Sequence, residues 1–279
     1  MMDFGLVTGL TDLAPRPGEL AAEAEARGYT TLFLADHTHI PSSTPYNPRV
    51  GDLPTDFSRL LDPFCALTEA AAATTSIRLG TGICLVAQRD PIVLAKQVAT
   101  IDYLSGGRFI FGVGYGWNEA EMRQHGVEPR HRRRILREKV LAMKEIWTND
   151  EASFHGEFVH IEPFSSWPKP VQRPHPPIWL GGSGPTAFAH IAEFADGWFP
   201  PAGGVTKHRE QLEKALAEHG RDVGSVTFAV NGPRPSVEAF RHYEAHGATH
   251  VTLMVPAERD EAFRELDRLD EIVAAYRAG

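Results

Sequence analysis

A chain of 279 residues that is 42% hydrophobic and 23% charged has ordinary globular composition, which excludes a disordered segment and leaves room to bury a core without staples. With 28 Lys and Arg against 36 Asp and Glu it carries a formal net charge of −8, a poor basis for binding nucleic acid. Cys65 and Cys84, the two cysteines, supply neither a disulfide framework nor a zinc quartet; no stretch approaches the ~18 apolar residues of a membrane span, and the opening MMDFGLVTGL lacks a basic segment followed by a long apolar run, so a soluble cytoplasmic protein without a signal peptide is expected.

The predicted elements alternate along the chain. Asp3–Thr8 is a strand. Gly18–Arg27 is rich in helix formers, with Pro17 placed to start the helix and Gly28 to stop it. TTLFLAD, residues 30–36, is the second strand. Pro63–Thr74 is an alanine-rich helix followed by IRLGTGICLV, and Pro91–Leu104 is a helix ended by Gly106-Gly107 and followed by RFIFGVG. His131–Thr148 is a long amphipathic helix. The segment Asn149–His175 contains SFHGEFVHI, which reads as a small hairpin turning at His155-Gly156. PPIWLGG is the fifth strand of the main series and Pro185–Ala195 its helix. DGWFP, a helix over His208–His219, the strand VTFAV, a helix over Ser236–His246, the strand HVTLMVP and a helix over Glu258–Arg277 complete the chain.

Eight near-continuous apolar strands alternating with helices imply a parallel sheet buried on both faces, and eight such units favour a closed (β/α)8 barrel, a TIM barrel, spanning residues 1–279 as one domain. Leu32, Leu34, Leu79, Phe109, Phe111 and Val113 read as its core. In such a barrel the chemistry sits at the C-terminal ends of the strands. The second strand ends in Asp36-His37-Thr38-His39 and opens a long loop, His37–Asp62, where a functional role is expected. The third ends around Gly82-Ile83-Cys84, the fourth in GVGYGWNEAE (Gly112 to Glu121), the fifth in GGSGP (Gly181 to Pro185) and the sixth near Trp198. Glycines at strand ends let a ligand approach the backbone closely.

GGSGP, just before a helix, is either a cradle for a phosphate or an ordinary strand–helix turn; backbone N–H groups and a helix N-terminus favour the anion. GVGYG is spaced G-x-G-x-G and lacks an acidic residue ending a strand about 20 residues on, so it is not read as a dinucleotide fingerprint. His37-x-His39 has the spacing of a metal pair, but a catalytic zinc site needs a third protein ligand, and no other histidine sits clearly on a strand end; no metal is expected. His37 is instead read as a catalytic or cofactor-contacting residue, its alternative being a loop histidine without function. Arg130–Arg137 (RHRRRILR) is either a solvated helix face or a surface for an anionic group. Cys84 reads as a small buried hydrophobe.

These residues resemble the luciferase-like monooxygenase superfamily, and within it the actinobacterial branch that uses the deazaflavin coenzyme F420. The resemblance runs nearly end to end and is carried by TTLFLADH, IRLGTGI, DPIVLAKQVATIDYLSGGRFIFGVGYGWNEAE, WPKPVQRPHPPIWLGGSGP and ADGWFP. It implies a TIM barrel with a flavin or deazaflavin lying across its C-terminal face, and often a homodimer. It implies a bulge with a non-proline cis peptide beneath the ring at Gly82-Ile83, backbone contacts to the cofactor at Gly112, Gly114, Tyr115 and Gly116, and a cofactor phosphate loop at Gly181, Gly182, Ser183 and Gly184. The acidic residue and histidine that follow the second strand match Asp36 and His37. In the sugar-phosphate dehydrogenase branch a proton-donating glutamate follows the fourth-strand glycines; here that place is Trp117, so sugar-phosphate chemistry is not expected.

The implied reaction is hydride transfer between F420 and a small organic substrate. His37 is the expected acid/base, Asp36 would orient it or bond a ring substituent, and Trp117, His39 and Trp198 would shape the substrate pocket. The alternative cofactor is FMN, with a monooxygenase that uses oxygen and a separate reductase; a metal-dependent barrel hydrolase is the more remote reading. No nucleic-acid or membrane partner is expected.

Overall fold

Proline and aspartate set the helix starts. The computed structural model describes residues 2–44 and 55–279. Within them β1 (Asp3–Thr8) leads into α1 (Pro17–Ala26), β2 (Thr31–Leu34), α2 (Pro63–Ala73), β3 (Arg78–Thr81), α3 (Pro91–Leu104) and β4 (Phe109–Val113). Then follow α4 (Glu119–Gln124), α5 (Arg132–Thr148), β5 (Ala152–His155), β6 (His160–Phe164), β7 (Ile178–Leu180) and α6 (Pro185–Phe194). The last part runs β8 (Gly197–Trp198), α7 (Gly204–Glu218), β9 (Thr227–Asn231), α8 (Val237–Ala245), β10 (His250–Met254) and α9 (Arg259–Ala278). Pro17, Pro63, Pro91 and Pro185 each occupy the first helical turn, where the missing N–H costs nothing. Asp62 and Asp90 cap α2 and α3 by accepting two backbone N–H bonds each at 2.9–3.0 Å.

The strands close a parallel barrel in the order β1-β10-β9-β8-β7-β4-β3-β2, so every barrel strand lies beside its successor in the chain and the last beside the first. This is the expected (β/α)8 architecture. The hairpin β5–β6 is antiparallel and stands outside the barrel, between α5 and β7. Its turn is wider than a two-residue connection: Gly156 donates to the Val159 carbonyl, and the buried Glu138 of α5 accepts from the N–H groups of Glu157, Phe158 and Val159.

The six expected core residues are all buried, but on the outer face of the barrel, against the helices. The barrel interior is filled by the alternate set, Val7, Phe33, Ile110, Trp179, Phe199 and Ala229. Strands covered on both faces are largely apolar at inward and outward positions alike, so the two-residue period that would separate inside from outside is absent from the sequence. Below this layer His250 accepts or donates a 2.8 Å bond with Thr31 Oγ1, and burial pushes its imidazole pKa down to about 3.

Two further boundaries differ from expectation. α7 begins at Gly204 rather than His208, because Gly203 is not a break but the helix cap, with φ +84°. α4, absent from the expected elements, is only six residues long, too short for a helical period to register. Residues 45–54 of the long loop after β2 lie outside the described residues. No helix among the described residues is long and apolar enough to cross a membrane.

Candidate active site

β2 delivers Asp36 and His37 to the C-terminal end of the barrel, and their side chains turn to different partners. His37 Nδ1 lies 2.7 Å from Glu121 Oε2, with both side chains buried. The second carboxylate oxygen of Glu121 accepts the backbone N–H of Thr38 at 3.2 Å. A carboxylate only accepts, so this contact assigns the imidazole proton to Nδ1 and leaves Nε2 as the nitrogen available to the cavity that His37 lines. Trp117 meets the His37 ring edge-on at 5.6 Å between centroids, and Phe57 lies 5.4 Å away on a tilted plane.

Glu121 is positioned by its own local sequence. Asn118-Glu119-Ala120-Glu121 has the form of a helix start, with Asn118 at the cap accepting the Glu121 N–H at 3.3 Å. In a capping box the third-position glutamate would fold back to the cap; here it turns to His37 and Thr38 instead. That cap spacing is the signal in the sequence that points to Glu121.

Asp36 does not orient His37. Its carboxylate accepts from the Leu85 N–H at 2.9 Å and takes Arg89 through both oxygens, at 2.6 and 3.0 Å. Arg89 also reaches Asp62, the cap of α2. Asp36 therefore ties the end of β2 to the segment after β3, and Glu121 is the carboxylate that holds the imidazole. The physical reason is the charge-assisted, two-pronged fit of guanidinium to carboxylate, stronger than a single imidazole contact.

The cavity, about 440 Å³, is lined by Asp36, His37, Gly82, Ile83, Gly116 and Trp117. Phe57, Leu60, Met254, Val255 and Pro256 line it as well, so most of the wall is apolar. The Gly82–Ile83 peptide is cis, as expected. A Cβ on Gly82 would sit 2.8 Å from Phe33, and one on Gly114 would sit 2.2 Å from Ile83 Cδ1. Gly112 and Gly114 are thus buried packing positions rather than ligand-facing ones: Gly112 lies where a Cβ would meet the Thr81 carbonyl at 1.9 Å. Their small size lets β3 and Ile83 lie close against β4, and the backbone contacts to a ligand expected of them are not open.

The loop Gly181–Gly184 lies on the far side of Ile83, whose Cγ2 approaches the Cβ position of Gly181 at 3.4 Å. Gly182 and Gly184 have φ of +119° and +108°, conformations in which a side chain is strained. α6 starts at this loop and α7 beside it, each from a glycine cap with no side-chain cap bond, and Ser183 Oγ lies 3.3 Å from the Cβ position of Gly204. Two helix N-termini with uncapped N–H groups therefore meet at Ser183, which is the geometry of an anion site.

Trp198 is fully buried between Phe188 and Phe228, and its indole N–H donates to the Gly182 carbonyl at 2.8 Å. It supports the loop from beneath and does not line the cavity, because the short strand β8 turns the side chain outward to the helix layer. Trp198→Phe is expected to cost about 1 kcal/mol, the usual value of one such bond, and is checked by chemical denaturation against the parent. On the other side Tyr115 packs 3.5 Å from the Gly182 Cβ position, and its hydroxyl bonds His190 Nδ1 at 2.9 Å. Burial holds His190 down to about 4, so its ring is neutral near neutral pH. His39 also leaves the cavity: it bonds Gln124 and Thr38 on the outer side of α4. His37 and His39 do not form a metal pair, since the first is held by Glu121 and the second faces away.

Of the basic run, Arg134 pairs with Glu157 and Arg137 with Glu193. Arg133 stacks over Tyr115 at 5.5 Å, beside the loop, with no carboxylate partner among the described residues.

The family model for luciferase-like monooxygenases matches residues 12–275. An uncharacterized protein of Mycobacterium tuberculosis is 40% identical over 276 residues, covering 96% of this chain and 97% of the relative. An FMNH2-dependent dimethylsulfone monooxygenase of Pseudomonas putida is 36% identical over 163 residues, 57% of this chain and 45% of that protein. An F420-dependent glucose-6-phosphate dehydrogenase of Kineococcus radiotolerans is 29% identical over 229 residues, 75% of this chain and 61% of the relative.

Proposed function

The chain belongs to the luciferase-like monooxygenase family, and from that premise we propose that it is an F420-dependent oxidoreductase acting on a small, largely apolar organic substrate. The observation that carries the reading is the buried His37–Glu121 pair opening onto an apolar cavity beside the Gly82–Ile83 shelf. The residues fit a flat tricycle with a phosphate: the shelf and Gly116 would lie against the ring, and Gly182, Ser183, Gly184 and the starts of α6 and α7 would hold the phosphate. Arg133, beside the same loop and without a carboxylate partner among the described residues, supports F420 over FMN, because F420 carries an anionic tail beyond that phosphate.

When bound, the deazaflavin ring supplies a hydride donor or acceptor at carbon. His37 Nε2 gives a proton to, or takes one from, the substrate oxygen, while Glu121 keeps the ring oriented. Trp117, Phe57 and Leu60 exclude water and hold the substrate's apolar part. The apolar wall, and Trp117 in place of a carboxylate, disfavour a sugar phosphate. A homodimer belongs to this proposal as well.

The second reading, an FMN-dependent monooxygenase served by a separate reductase, is favoured by the 36% identity to the dimethylsulfone enzyme. Mixing the protein with reduced F420 and a panel of small ketones and enones, with and without oxygen, separates the two. Oxidation of the cofactor in the absence of oxygen, dependent on protein and substrate, is the expected result; turnover seen only with reduced FMN and oxygen would favour the second.

A further inference from the structure

Beside α4, three side chains that the proposed reaction leaves unexplained or only partly used come together. His39, Glu121 and His125 each offer a ligand atom, and these atoms lie within 4.8 Å of one another. His39 comes from the segment after β2, and Glu121 and His125 lie four residues apart, in the first turn of α4 and just past its end. The two imidazoles meet at one hydroxyl: Thr38 Oγ1 is 2.8 Å from His39 Nδ1 and 2.7 Å from His125 Nε2. The opposite nitrogen of His39 is fixed by Gln124 Oε1 at 2.6 Å. With its proton committed there, His39 presents a lone pair at Nδ1.

We infer that this cluster is a binding site for a single divalent transition-metal ion of the zinc class, held by His39 Nδ1, His125 Nε2 and Glu121. Two imidazoles and a carboxylate are a donor set suited to zinc and unsuited to magnesium or calcium, which take oxygen ligands. Gln124 stands as the outer partner that a metal-bound histidine requires on its second nitrogen. Bonds of ~2.0 Å to a tetrahedral ion place ligands about 3.3 Å apart, so the ligand atoms close by up to about 1.5 Å as the Thr38 hydroxyl gives way, with water as the fourth ligand. His39 and His125 are half-buried and give the ion a path from solvent, while Glu121 is fully buried.

The same carboxylate holds His37; the metal site does not depend on the proposed role of that histidine, and it is tested without cofactor or substrate.

The chelator-treated full chain is titrated with Zn2+ alone by calorimetry, and with Co2+ by visible absorption. A second cluster, His155, His160 and Glu162, lies exposed on the hairpin, so the parent for the experiment is the His155→Ala/His160→Ala protein. One Zn2+ per chain with micromolar or tighter affinity is expected, weakened at least 10-fold by His125→Ala and by His39→Ala. Melting curves without metal confirm that each variant is folded, and His39→Gln serves if His125→Ala does not fold. Absence of stoichiometric binding, or binding unchanged by the histidine substitutions, would overturn the assignment.

Discussion

His37→Ala lowers turnover by about 100-fold or more, while cofactor affinity changes by less than about 10-fold. This is the scale of help a positioned acid/base gives. The split follows from geometry: the substitution removes the only imidazole that lines the cavity among the described residues, and the shelf at Gly82–Ile83 and the loop Gly181–Gly184 are untouched. Glu121→Gln is the companion. It preserves shape but removes the carboxylate that accepts the Nδ1 proton, so turnover falls while cofactor affinity again changes by less than about 10-fold. Steady-state rates together with cofactor titrations of both variants check the expectation. Unchanged turnover in His37→Ala would make the histidine a structural residue.

Gly182→Asp weakens cofactor binding by about 100-fold or more and leaves the barrel folded. Gly182 has φ +119°, its carbonyl is fixed by the Trp198 indole, and its Cβ position lies 3.5 Å from Tyr115. A side chain there strains the backbone, and a carboxylate also repels an anion held by the starts of α6 and α7. Gly182→Ala separates the two contributions: it carries the strain without the charge. The difference between the two variants should shrink as salt rises, because only the repulsion is screened. Titration of both proteins at two ionic strengths checks this. Equal affinity in all three proteins would put the phosphate elsewhere.

The barrel was legible because its signals are local and repeated. Proline at a helix start, glycine at its end and an apolar run after each turn recur around the sheet, and Pro17, Pro63, Pro91 and Pro185 stand where the sequence puts them. The cis peptide at Gly82–Ile83 came only through family resemblance, since nothing in Gly-Ile itself demands it. What could not be read was orientation. Leu32 and Phe33 are equally apolar, and only closure of the barrel decides that Phe33 points inward. Trp198 looked like a pocket wall for the same reason. The partner of His37 was hidden by distance: Asp36 is adjacent in sequence and turns to Arg89, whereas Glu121 is 84 residues away on a six-residue helix. Tertiary contacts of this kind leave no trace in spacing, except that the Asn118–Glu121 cap already marked where that helix begins.

The identity of the cofactor is the claim on which the rest depends. The direct measurement is a pair of equilibrium titrations of the cofactor-free protein, one with F420 and one with FMN, each at low and at moderate salt. Micromolar or tighter binding of F420, weakened by salt and by Arg133→Ala, with little binding of FMN, is the expected result. Tight FMN binding with no affinity for F420 would contradict it and make oxygen-dependent chemistry the leading account of this site.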